Sequence, residues 1–158
     1  LKDANGAEMF PGYDASNAYY DYTDMLNHAL EIARARGNLR VHVKPGVYYF
    51  AGSIPLHGYT ALDGEAGKTA FVVKPNYTDL YGKECSEYGF FTIADTNERY
   101  SWYFSSVSDL TIVVEGTHPS FKPTSTYDEI YANILSDDIQ ATDKYSLFYH
   151  VRIGYGGS

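Results

Sequence analysis

The sequence predicts an all-β solenoid closed at its N-terminal end by a single helix, and three observations predict it. Five short apolar runs recur about every twenty residues: Phe71-Val72-Val73, Phe91-Thr92-Ile93, Thr111-Ile112-Val113, Ala132-Asn133-Ile134 and Val151-Arg152-Ile153. A fixed period of that size is how stacked coils read in sequence, each coil burying its apolar residues against the next. The runs are short, β-branched or aromatic, and bounded by turn formers, which argues for strands rather than helices. Only ahead of them does a helical period occur.

Residues 1–20 read as an irregular lead-in rich in Gly, Asn, Asp and Ala, with Pro11-Gly12 as a turn. Residues 21–158 follow as one domain. Asp21 or Thr23 can cap a helix whose first turn carries Asp24 at the positive end of the dipole. Met25, Leu26, Ala29, Leu30 and Ala33 recur at three- and four-residue steps and make one apolar face. Arg34 and Arg36 suit the last turn, and Gly37 is a left-handed stop. Strands follow at Arg40–Val43, Val47–Phe50, Ile54–Leu56, Thr60–Leu62 and Thr69–Val73, separated by Pro45-Gly46, Gly52-Ser53, His57-Gly58 and Asp63-Gly64. Two insertions, Tyr77 to Tyr88 and Gly116 to Asp128, interrupt the rhythm.

Composition sets the class. Across 158 residues, 44% are hydrophobic and 20% charged, as in an ordinary folded domain. A net charge of −8 with scattered Lys and Arg leaves no basic stripe to displace counterions from phosphate, so nucleic acid and anionic membrane are not expected partners. No run approaches the roughly 20 apolar residues that span a bilayer. Cys85 is the only cysteine, which rules out an internal disulfide and a Cys-based zinc site. Seventeen tyrosines are the marked excess, and a ring with a hydroxyl suits both sugar stacking and strand packing.

The order of these segments resembles a known family. A capped helix ending at Gly37, then Val41-His42-Val43-Lys44-Pro45-Gly46-Val47-Tyr48, Ile54-Pro55-Leu56, Leu62-Asp63-Gly64 and Thr69-Ala70-Phe71-Val72, is similar to the opening segment of the pectin-lyase-like right-handed parallel β-helix superfamily. Val107–Ile112 and Tyr149–Ile153 look like later coils. The resemblance implies a right-handed parallel β-helix with a capping helix, and a carbohydrate context shared by hydrolases, lyases, epimerases and phage tailspikes. Fold alone does not give the function. Members of that superfamily carry more coils than 158 residues provide, so the resemblance also implies a fragment, or one half of an assembly completed by a second chain or another copy.

Candidate site residues follow from the chemistry of that context. Glycosidases need two carboxyl groups about 5–9.5 Å apart. Asp137, Asp138 and Asp143 are the densest acidic group, and Glu115 ends the run Leu110–Val114; a solvated turn is the plainer reading of the aspartates. The same aspartates are the one candidate for a Ca²⁺ ion, and no other cofactor or metal is expected. Alternation puts Tyr100, Trp102 and Phe104 on one strand face and Tyr103 on the other, either as a platform for sugar rings or as core packing. The five histidines show no metal-pair spacing, His42 alternates with Val41 and Val43, and Asp63 reads as a turn residue. The expected function is the N-terminal part of an extracellular or cell-surface polysaccharide-degrading glycoside hydrolase. Its alternative is a non-catalytic carbohydrate-binding, adhesive or tailspike-like module. Either takes a polysaccharide or oligosaccharide as partner.

Overall fold

In the computed structural model, residues 5–37, 39–58, 60–78, 90–93, 105–116 and 118–134 are described. Helix α1 (Thr23–Ala35) forms where the three- and four-residue apolar step requires it, burying Leu26, Leu30 and Ala33. Asp21 fixes its start: one carboxylate oxygen accepts from Thr23 N and Ala51 N, each at 3.0 Å, and from the Thr23 hydroxyl. Thr23 Oγ1 in turn accepts from Gly52 N, so lead-in, helix and the following strand are tied at one point. Gly37 closes the helix at φ +89°, in the left-handed region where glycine carries no Cβ penalty.

Among the described residues eight strands follow: β1 (Arg40–His42), β2 (Gly46–Gly52), β3 (Ile54–Leu56), β4 (Ala61–Asp63), β5 (Thr69–Thr78), β6 (Phe91–Ile93), β7 (Ser106–Ser108) and β8 (Thr111–Val114). They form separate short parallel sheets in the orders β1-β4-β7, β2-β5-β8 and β3-β6. Apolar side chains from all three, among them Phe50, Ile54, Leu62, Phe71 and Phe91, meet in one core with Leu26 and Leu30 of α1. Phe50, Phe71 and Phe90 pack there as tilted and edge-to-face rings, with centroids 4.5–6.4 Å apart.

A second core lies on the other face of β2-β5-β8. Tyr49, Ala70, Val72 and Val113 point there and are covered by Phe121 and by Ile130 of helix α2 (Tyr127–Ile134). A capping box starts α2. Glu129 Oε2 accepts from Thr126 N at 2.7 Å and from the Thr126 hydroxyl at 3.0 Å, while Glu129 N donates to Thr126 Oγ1 at 3.3 Å. These hydrogen bonds also hold the Glu129 carboxyl below its usual range. Thr126→Ala is therefore expected to cost about 1 kcal/mol in thermal or urea unfolding, with Thr126→Ser close to neutral.

The structure departs from the all-β solenoid, a right-handed parallel β-helix, that the sequence predicts. Among the described residues the architecture is mixed α/β: short parallel sheets of two or three strands, two helices, and no sheet that closes or runs as a solenoid. Two physical reasons account for the misreading. Ala132-Asn133-Ile134, taken as a strand, is the last turn of α2. The period of twenty also does not describe the pairing. Phe71 and Ile112 are register partners across roughly twice that step, while Phe91 belongs to a different sheet, opposite Ile54. Val107–Ile112 is divided between β7 and β8 at Asp109, whose φ of 57° is left-handed. Val151–Ile153 lies outside the described residues.

Candidate functional site

Of the residues singled out by sequence, Asp137, Asp138, Asp143, Tyr100, Trp102 and Tyr103 lie outside the described residues. Glu115 is described. It follows β8, half-buried, with its backbone N donating to Val73 O at 2.8 Å. Among the described residues no three acidic, His or Cys side chains converge as a metal site. No described helix is long and apolar enough to cross a membrane.

What the structure assembles instead is a run of tyrosines where the lead-in crosses the first strands. Tyr13 stands edge-on to Tyr20 at 5.1 Å and to Tyr22 at 6.3 Å; Tyr20 meets Tyr22 at 4.9 Å, and Tyr22 meets Tyr48 at 5.1 Å. Tyr19 packs edge-on against Tyr49 at 5.4 Å. Two short side-chain turns hold the loop between Tyr13 and Tyr20. Asp14 Oδ1 accepts from Ser16 N at 2.8 Å and Ser16 Oγ at 2.7 Å, and Asn17 Oδ1 accepts from Tyr19 N at 3.0 Å. The Ser16 hydrogen bonds lower the Asp14 pKa. Tyr13 and Tyr19 are consequently presented half-exposed, at 50% and 49%, on a braced loop.

The inner tyrosines differ in character. Burial is the main cause that pushes Tyr22 up to about 12, reinforced by Tyr13, Tyr48 and Tyr20. Burial, then the charges of Glu115 and Asp21, push Tyr49 up to about 12. Both phenols thus stay neutral in the folded chain at pH values where an unfolded tyrosine, near 10, has ionised. The folded state then holds more protons than the unfolded one, so stability is full below pH 10 and is lost as pH rises from 10 towards 12. An alkaline melting series should show that fall, and Tyr22→Phe and Tyr49→Phe should each remove one late-ionising phenol from the tyrosinate absorbance titration.

A second polar group sits on the outer face of β1-β4-β7. The three strands each place an apolar residue at the centre and a polar one at the end: Arg40-Val41-His42, Ala61-Leu62-Asp63 and Ser106-Val107-Ser108. Val41, Leu62 and Val107 turn into the core, leaving Arg40, His42, Asp63, Ser106 and Ser108 on the opposite face. Asp63 is not a turn residue but the last residue of β4, only 6% exposed. Its Oδ2 lies 3.0 Å from His42 Nδ1, and its Oδ1 lies 3.4 Å from Arg40 Nε with no hydrogen bond of its own. The signal for this cluster was present in sequence as three triplets with an apolar centre and a polar last residue, which become readable only once their register is known.

Comparison with protein families, with curated proteins and with solved structures finds no match to this chain.

Proposed function

We propose that this chain is a carbohydrate-binding part of an extracellular carbohydrate-active protein, taking a polysaccharide or oligosaccharide on the exposed tyrosines of the lead-in. The observation that carries this reading is the pair of half-exposed rings Tyr13 and Tyr19, held by the Asp14 and Asn17 side-chain turns beside polar groups that can meet sugar hydroxyls. A sugar ring offers an apolar C–H face and a hydroxyl rim, and a braced tyrosine offers a flat apolar ring and a hydroxyl. The architecture lends this reading no support; the rings do.

Binding is favoured over hydrolysis by the state of the nearby carboxylates. Asp21 and Glu115 both act on Tyr49, yet one Asp21 oxygen is already committed to three donors that start α1. An acid so engaged makes a poor partner for Glu115 in a two-carboxylate mechanism. Titration against a panel of neutral and acidic oligosaccharides tests the reading. Tyr13→Ala and Tyr19→Ala should each weaken binding about 2- to 10-fold, the worth of roughly one aromatic contact. Absence of binding to every glycan, or a Tyr13→Ala/Tyr19→Ala double variant that binds as wild type does, defeats it. Glycan turnover that disappears in Glu115→Gln would restore the hydrolase reading instead.

A further inference from the structure

The polar face of β1-β4-β7 carries an arrangement that glycan binding does not use. Asp63 is buried with its Oδ2 3.0 Å from His42 Nδ1, and where Asp63 is the acceptor-only carboxylate the atom that donates across that distance is the Nδ1–H of His42. That hydrogen bond fixes the imidazole tautomer and leaves Nε2 as the bare, basic nitrogen. The His42 side chain is 46% exposed, and among the described residues Nε2 has no partner. Arg40, two residues back on the same face, faces Asp63 through Nε, while its side chain stays 68% exposed. A buried carboxylate orienting an exposed imidazole beside a guanidinium is more than charge compensation requires, since Arg40 alone would balance Asp63.

We propose that His42 is a general base for hydrolysis of carboxylic esters, with Asp63 as its positioning residue and Arg40 as the partner of the oxyanion. Register decides the nucleophile. His42, Asp63 and Ser108 share one row across the sheet, with Asp63 in the middle. Ser108 is therefore two strand spacings, about 9.6 Å, from His42 and cannot pass it a proton. The row excludes Ser108 as the nucleophile and leaves water. Nε2 takes a proton from a water molecule as the water oxygen bonds to the ester carbonyl carbon. The carbonyl pair moves onto oxygen and faces the terminal nitrogens of Arg40. On collapse the bond to the alcohol oxygen breaks, and the departing alkoxide recovers the proton from Nε2. Ester and water become acid and alcohol, with His42 returned to its starting form. A carboxylic ester suits the site because its tetrahedral intermediate carries a single negative charge, which one guanidinium matches.

The test uses p-nitrophenyl acetate as the probe, together with nitrogen-resolved NMR of the imidazole rings. The wild-type chain is expected to hydrolyse the probe, and His42→Gln to lower the rate about 100-fold, the lower bound for a positioned general base. Arg40→Gln should lower it about tenfold, while His28→Gln and His118→Gln leave it unchanged. NMR should place hydrogen on His42 Nδ1 alone, and Asp63→Asn should both slow hydrolysis and mix the tautomers, which a merely structural role would not do. Should Asp63→Asn fail to fold, the exposed His42→Gln variant and the wild-type NMR spectrum decide the matter. Three results overturn the proposal: a His42→Gln rate within twofold of wild type, an equal loss in the His28 and His118 variants, or hydrogen on Nε2 of wild-type His42. None of them bears on the lead-in tyrosines, whose glycan titration stands or falls separately.

Discussion

Phe71→Ala is expected to destabilise the chain by about 3–5 kcal/mol, the usual cost of emptying a phenylalanine site in a packed core. Phe71 is fully buried on β5, the middle strand of its sheet, with Tyr48 and Ile112 as its register partners. Its ring centroid lies 4.5 Å from that of Phe50 and 6.4 Å from that of Phe90. Neither neighbour can collapse freely into the space, because Phe50 is also packed on Tyr22 and Phe90 on Phe91. Most of the cavity therefore persists, and the loss sits at the upper part of the range. Total stability of a domain this size is about 5–15 kcal/mol, so the variant would be marginal. Urea unfolding followed by tyrosine fluorescence measures the change directly. Phe71→Leu, which keeps most of the volume, should cost clearly less. A loss under about 1 kcal/mol for Phe71→Ala would mean that the apolar side chains of the three sheets do not share one core.

Local order was readable from residues alone where a single period holds. The α1 stripe Leu26, Leu30 and Ala33 and the Gly37 stop are properties of one helix, and they came out as expected. Strand positions β1 to β5 were legible for the same reason, although β5 runs through Lys74-Pro75-Asn76, which reads as a terminator. What failed was the step from strands to their partners. Pairing across a sheet is not periodic in this sequence: Gly46 pairs with Thr69 after one step, but Ala70 with Thr111 after nearly two. The His42–Asp63 contact depends on that register, so no local pattern could expose it. The tyrosine excess was legible as chemistry, while the segment singled out for it, Tyr100–Tyr103, lies outside the described residues. Among the described residues the rings brought together come largely from the lead-in, where no hydrophobic period marks them in the sequence.

One further signal in the sequence points to the second large effect. Ala70, Phe71, Val72 and Val73 form an unbroken apolar run, and all four are at most 1% exposed. A parallel strand with such a run is buried on both faces, so something must cover the side that α1 does not reach. Helix α2 does this, with Ile130 fully buried against Tyr49, Val72 and Val113 and with Phe121 beside it. Ile130→Ala is accordingly expected to cost about 2–5 kcal/mol, while Tyr131→Ala, one position along on the exposed side of the same helix, should stay within about 0.5 kcal/mol of wild type. The contrast between adjacent residues separates a packed helix from one that merely lies nearby. Thr126→Ala acts on the same helix through its cap, so combining it with Ile130→Ala should cost less than the two apart, because a helix already loosened has less to lose at its start. Equal, small effects at Ile130 and Tyr131 would mean that the outer face of β2-β5-β8 is covered by some other segment, and that the second core is not built around α2.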